Sequence, residues 1–314
     1  MKLLNLITEY VSLKQAMGMR YKSESGVLRS FCKVMGDIDI KEVNPDHVAA
    51  FLAGTGPITA FWHQKYKILN SFYKFALIRG YIDSSPLPKT IPKQPEPQTP
   101  HIYTTEELRR ILASTDTMEA SNSPLQAATF KTLLLMLYCT GLRISEALSL
   151  KIADVNLTDS LIIVRDSKFF KTRLVPVGPR IMDHLNSYLK KRRHLPHPSG
   201  VDSAFFATRT GNALTYHRVS KVFRLLRNLA DIPHRDEDRY YPRIHDLRHT
   251  FAVHRLESWY SEGADVQRML PRLSTYLGHL DIAETQRYLN MTPNLLLEAN
   301  KRFERYALSE VNNV

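Results

Sequence analysis

The chain has 314 residues, enough for two cores, and its 43% hydrophobic and 24% charged content is that of a folded, water-soluble protein. Lys and Arg number 43 against 31 Asp and Glu, a formal charge of +12, and that surplus points to a polyanionic partner, nucleic acid before an anionic membrane. No apolar run approaches the ~20 residues that span a bilayer, and Glu9 and Lys14 interrupt any secretory segment. Cys32 and Cys139 lie among apolar neighbours as reduced core residues of a cytosolic protein, which excludes a disulfide framework or a zinc ribbon.

In chain order, Leu4, Ile7, Val11, Leu13 and Met17 predict an amphipathic helix ending near Gly18. Val27, Phe31 and Val34 predict a second, stopped by Gly36. Asn44-Pro45-Asp46 opens a third, and residues 61–78 form a long fourth that ends at Gly80. Residues 1–85 are therefore expected to be a small all-α domain. Its Lys14, Arg20, Lys22, Arg29, Lys33, Lys65, Lys67 and Lys74 are interleaved with Tyr21, Tyr66 and Tyr73, as in a DNA-facing surface or an ordinary solvated face. Residues 86–100 then hold six of the 17 prolines, a density that neither helix nor central strand tolerates. Extended at ~3.1 Å per residue, this linker reaches roughly 40 Å. That is enough to pass around a DNA duplex, or simply to join two domains.

Beyond the linker, Thr104-Thr105-Glu106-Glu107 starts a helix through Leu112, residues 130–138 make an apolar helix, and Gly141 turns into another. The period then changes. Residues 161–164 and 174–177 are β-rich, with 166–171 between them as a hairpin tip. Helical patterns resume at 179–192, 216–230, 244–256 and 293–308, and there is no internal repeat. The expected class is mostly α with a small antiparallel β-sheet.

Several polar residues invite chemistry, although each also has a plain structural reading. Arg143, after a glycine turn at a helix start, suits phosphate binding or a pairing with Glu146. His245 and Arg248 are three apart on a predicted helix and share a face, which puts a proton-transfer group beside an anion binder. His245 and His249 have the i, i+4 spacing of metal ligands. Asp246, however, stands where the zincin pattern needs Glu, an Arg adjoins, and no third ligand is apparent. Lys168 taken alone is solvated surface, Tyr288 is packing, and His279 is a helix-end cap.

Together and in order, these residues resemble the active site of the tyrosine recombinase/integrase family. The motifs are Gly-Leu-Arg-Ile-Ser-Glu around Arg143 and Ser-Lys-Phe-Phe-Lys-Thr-Arg-Leu-Val-Pro around Lys168. They continue with His-Asp-Leu-Arg-His-Thr-Phe at 245–251 and Leu-Gly-His at 277–279, nine residues before Tyr288. The resemblance covers about 100–310, implies a catalytic domain over 101–314, and makes the helical first third a core-binding, DNA-binding domain. Two phenylalanines, Phe169 and Phe170, stand in the hairpin turn where relatives often carry Gly or Asn.

The resemblance implies Tyr288 as nucleophile, forming a 3′-phosphotyrosine. Arg143 and Arg248 would hold the phosphate's non-bridging oxygens, His279 would donate to it, and His245 would act as base or orienter. Lys168, preferred to Lys171, would be the general acid for the 5′-hydroxyl. No metal and no other cofactor is expected. The implied partner is double-stranded DNA, held by a homo-tetramer on two sites, with related recombinases as further partners. An apolar stripe of Leu295, Leu296, Ala299, Phe303 and Tyr306 on a terminal helix would dock on a neighbouring protomer. The opening and closing segments look similar to transposon-borne recombinases found in groups of three adjacent genes, which implies a bacterial, nucleoid-associated protein. A type IB topoisomerase and a catalytically silent DNA-binding subunit are the competing functions.

Overall fold

The computed structural model describes the chain apart from residues 97–98, 121–125, 166–171, 195–197, 199, 233–240, 292 and 312–314, and apart from the side chains of 119–120, 290, 294, 306–307 and 309–311. The chain divides into two compact units between Pro97 and Gln98. The first is helical: α1 (Leu3–Ala16), α2 (Lys22–Met35), α3 (Pro45–Ala53) and α4 (Ala60–Ile78). The start of α3 is written locally, with Pro45 in its first turn and the Asn44 side chain accepting from the Asp46 amide at 2.7 Å. Helix α4 supplies the centre of this core through Leu69, Phe72, Tyr73 and Ala76.

The buried stripe of α1 is not the expected one. Leu3, Leu6, Ile7 and Tyr10 are buried, whereas Leu4 is 45% exposed, Leu13 36% and Met17 61%. Adjacent leucines at 3 and 4 offer two neighbouring stripes, and the one carrying Tyr10 wins. Its ring packs edge-on against Phe72 at 5.6 Å and its hydroxyl donates to Ser71 at 2.7 Å, which satisfies a buried polar atom. In α2, Leu28, Phe31, Cys32 and Met35 are buried while Val34 faces outward. The basic surface shrinks too. Tyr73 is core, and the buried Lys65 donates its ammonium to the Phe51 carbonyl, while Arg20, Lys22, Arg29, Lys33, Lys67 and Lys74 are exposed.

The second unit contains α5 (Thr105–Ser114), α6 (Ala127–Thr140), α7 (Ile144–Ser149), β1 (Val155–Asn156), β2 (Leu161–Val164), β3 (Arg173–Pro176) and α8 (Pro179–Arg193). It continues with α9 (Tyr216–Leu229), α10 (Asp246–Ser261), α11 (Val266–Leu277), α12 (Ala283–Gln286) and α13 (Pro293–Val311). The expected start of α5 is a reciprocal cap: Glu107 accepts from the Thr104 amide at 2.7 Å and Thr104 Oγ1 accepts from the Glu107 amide at 3.1 Å. The three strands form one antiparallel sheet in chain order, with Ile162 opposite Val155 and Val175. Ile162 and Val175 are buried, which ties this face of the sheet to the core of α6 and α8. The hairpin tip with Lys168, Phe169, Phe170 and Lys171 lies outside the described residues.

Helix α11 was not among the expected helices, and it carries Pro271 inside it. The Asp265 side chain caps it by accepting from the Arg268 amide, and Leu270, Leu273 and Leu277 anchor it beside α10. Helix α13 packs its Leu295 into that same cluster of its own chain, while Leu296 and Phe303 face outward. Among the described residues both cysteines are free, Cys32 buried and Cys139 partly so, and no helix is long and apolar enough to cross a membrane.

The stripe assignment has a direct test. Leu3→Ala should cost about 2–5 kcal/mol of stability and Leu4→Ala under about 0.5 kcal/mol. Urea unfolding of the two variants, followed by circular dichroism, measures the difference, and equal losses would contradict the register described.

Candidate active site

Helix α10 starts at a point locked from several sides. The wholly buried carboxylate of Asp246 accepts from the Arg243 amide at 2.8 Å and from the Arg243 guanidinium at 3.1 Å. Thr250 Oγ1 donates to the Asp246 carbonyl and accepts from the Tyr103 amide at 3.0 Å, while the Tyr103 hydroxyl donates to the Arg243 carbonyl. These bonds fix the first turn, and with it the directions of His245, Arg248 and His249.

Arg248 is 3% exposed and makes two short charge-assisted bonds, Nη1 to the Gly141 carbonyl at 2.6 Å and Nη2 to the Leu277 carbonyl at 2.7 Å. These carbonyls close α6 and α11, so the guanidinium sits where the negative ends of two helix dipoles meet. Burial, with Arg143 nearby, pushes its pKa down to about 10, which still leaves it cationic at neutral pH. The turns that present these carbonyls need glycine. Gly141 has φ +61°, and a Cβ there would lie 2.4 Å from Phe251; Gly278 has φ +69°, and a Cβ there would lie 2.9 Å from Arg173.

Arg143 stands at the head of α7. Its Nη1 donates to Glu146 at 3.1 Å and its Nη2 to the Gly278 carbonyl at 3.2 Å, so the ion pair expected as an alternative coexists with a place in the arginine cluster. Glu146 also receives Arg173 from β3 in a two-pronged pair at 2.9 and 2.8 Å. Burial alone would raise the Glu146 carboxyl, but the hydrogen bonds and charge of Arg173, with Arg143 adding, hold it at about 2. Arg173 further donates to the Tyr276 carbonyl at 3.1 Å, which joins the sheet to the end of α11.

Tyr288 lies in a short 3-10 turn after α12 and is 2% exposed. Burial raises its phenol, against the opposing charges of Arg248 and Arg287. His279 stacks on its ring, centroids 6.1 Å apart, and shares a 2.7 Å hydrogen bond between Nδ1 and Thr285 Oγ1. Burial, with Arg248 and Arg143 adding, lowers the His279 pKa to about 4, and burial with Arg248 also lowers that of His245. The phenol is hydrogen-bonded by Arg248 and meets His249, whose Nδ1 lies 3.2 Å from the Tyr288 oxygen. His245 touches His249 ring to ring, edge-on at 5.2 Å.

The structure thus brings Arg143, His245, Arg248, His279 and Tyr288 together, and Lys168 lies outside the described residues. Sequence reasoning gave Arg173 and His249 no part in the site. Arg173 was legible only as one more arginine in the hairpin motif, and His249 as the second half of a metal-like spacing. Among the described residues no three His, Cys, Asp or Glu are grouped to hold a metal ion.

The Glu146 pair sets a pH dependence. Its folded pKa lies below the ordinary carboxyl value of 4.5, so its stabilisation is present above that value and is lost as pH falls through about 2. Glu146→Gln should flatten this part of the acid-unfolding curve and destabilise the protein at neutral pH by about 3 kcal/mol. Thermal unfolding from pH 2 to 7 reads both effects.

The family model described as the phage integrase family matches residues 102–294. The integrase/recombinase y4rB of Sinorhizobium fredii is 29% identical over 95% of this chain and 96% of its own length. The tyrosine recombinase XerC of Oceanobacillus iheyensis is 30% identical over 89% of this chain and 87% of its own. Among solved structures, the integrase of the transposon Tn1549, in complex with a circular-intermediate DNA, shares the fold at a TM-score of 0.67 and 17% identity, covering 98% of this chain and 99% of that one. With the family model spanning most of the second unit and a relative at 30% identity along nearly the whole length, the chain belongs to the phage integrase family of tyrosine recombinases.

Proposed function

We propose that this tyrosine recombinase cuts and rejoins DNA at specific sites through Tyr288, in the integration, excision or transposition of a mobile element. The observation that carries the assignment of residues is the gathering of two arginines, three imidazoles and a buried phenol at the ends of α6, α10 and α11. A phosphodiester has two non-bridging oxygens that gain charge during attack, and Arg143 and Arg248 take them. His279 donates to the same phosphate, and His245 orients the reacting groups from the head of α10.

The Tyr288 oxygen forms a bond to phosphorus as the P–O5′ bond breaks, and Lys168 delivers the proton that the leaving 5′-hydroxyl needs. The bond energy stays in the 3′-phosphotyrosine, so a 5′-hydroxyl from another strand can reverse the step without ATP. The first unit, with its exposed Arg29, Lys33, Lys67 and Lys74, serves as the core-binding domain, joined by a proline-rich linker long enough to pass around a duplex. Four protomers act on two sites, with the outward Leu296 and Phe303 of α13 docking on a neighbour, and the protein works at the bacterial nucleoid. The relatives and the fold neighbour support this reading through their own names: integrase, recombinase and transposon integrase.

The test is a denaturant-resistant protein–DNA adduct, formed in EDTA on nicked duplexes carrying the terminal sequences of the element that encodes the chain. Wild type should form it and Tyr288→Phe should not. Arg143→Ala should slow its formation about 10²–10³-fold. An adduct that survives in Tyr288→Phe would overturn the choice of nucleophile.

A further inference from the structure

Tyrosine at an ordinary pKa of about 10 is a poor nucleophile at neutral pH, and burial of Tyr288 makes its phenol harder still to ionise. The proton must therefore go somewhere as the oxygen attacks. The Tyr288 oxygen has a side-chain hydrogen bond with Arg248, which cannot take a proton, and lies 3.2 Å from Nδ1 of His249, which can. His245, the first histidine of the same motif, meets the ring of His249 edge-on. We infer that His249 aims the Tyr288 hydroxyl and receives its proton as the bond to phosphorus forms. The inference rests on Tyr288 being the nucleophile.

Geometry and charge agree on this role. A base must reach the proton it takes at roughly 2.6–3.2 Å between heavy atoms, and His249 does so before DNA arrives. The groups around it are His245, Arg248 and Arg243 at the head of α10, Arg287 and Tyr288 in the 3-10 turn, and His279, which stacks on the far side of the phenol. Burial, with the charges of His245, Arg287, Arg248 and Arg243, lowers the His249 pKa to about 3, so the ring is neutral and free to accept. With its hydrogen on Nε2, the ring presents the Nδ1 lone pair to the phenol. A phosphodiester held by Arg143 and Arg248 adds negative charge to this cluster, offsetting the cations that disfavour imidazolium and strengthening the base when substrate is in place.

The atoms balance without any further reactant. The Tyr288 O–H bond breaks and its proton passes to His249 Nδ1; the O–P bond forms; the P–O5′ bond breaks and the oxygen takes a proton from Lys168. Rejoining runs the same path backwards, with the imidazolium returning its proton to the departing phenolate. One ring therefore serves both halves of the reaction.

His249→Asn separates aiming from proton transfer, because the Asn Oδ1 falls near the position of Nδ1 and accepts a hydrogen bond but not a proton. Adduct rates on the nicked duplexes would be followed from pH 6 to 9.5 for wild type, His249→Asn and His249→Ala, with thermal unfolding as a check on folding. Wild type should vary little with pH. His249→Asn should be slowed about 10²-fold or more at pH 7 and should recover close to tenfold per pH unit, as hydroxide replaces the base. Near-wild-type rates in His249→Asn, or a loss equal at every pH in both variants, would reduce His249 to a packing or aiming group and overturn the inference while leaving Tyr288 as nucleophile. No adduct from wild type would overturn the recombination reading itself.

Discussion

A single buried guanidinium holds one end of the second unit together. Arg248 bonds to the last carbonyls of α6 and α11, groups that a helix leaves unsatisfied and that would be costly to bury alone. In return the two helix ends supply the negative potential that lets a positive charge sit at 3% exposure. Arg143 comes to the same place by following Gly141, His279 by following Gly278, and Tyr288 by stacking on His279. The two glycine turns are thus parts of the site as much as the charged side chains are.

Charge around the site is arranged as a hierarchy. Glu146 takes a two-pronged pair from the Arg173 guanidinium but, besides the Arg143 amide, only one bond from the Arg143 guanidinium, which leaves that guanidinium the freer of the two for a second anion. Arg173 is bound on all sides, by Glu146 and the Tyr276 carbonyl, and acts as a brace between β3 and α11. The imidazoles are kept neutral near pH 7 by burial and by the neighbouring charges. Neutral histidines next to fixed cations suit a reaction in which the substrate brings the negative charge.

What the sequence made legible was local. The reciprocal cap at Thr104 and Glu107, the Asn44-Pro45 helix start, the turn at Gly141 and the alternation of 161–164 each need only a few neighbouring residues to specify them. Arg143, His245, Arg248, His279 and Tyr288 were singled out because their motifs could be matched as a set, although any one alone has a plainer explanation. What stayed hidden depends on partners distant in the chain. The choice between Leu3 and Leu4 is made by Phe72 and Ser71 on another helix; α11 persists around Pro271 because α10 covers its leucines. His249 meets Tyr288 across 39 residues, and Arg173 meets Glu146 across 27. No periodicity encodes such meetings.

Three guanidiniums, of Arg143, Arg173 and Arg248, gather about the carboxylate of Glu146. The native state therefore carries an internal repulsion that an unfolded chain, its charges dispersed in solvent, escapes. Any anion received among these arginines relieves part of that repulsion, so cargo and fold draw on the same free energy. The heat that the protein withstands becomes a gauge of what it is holding.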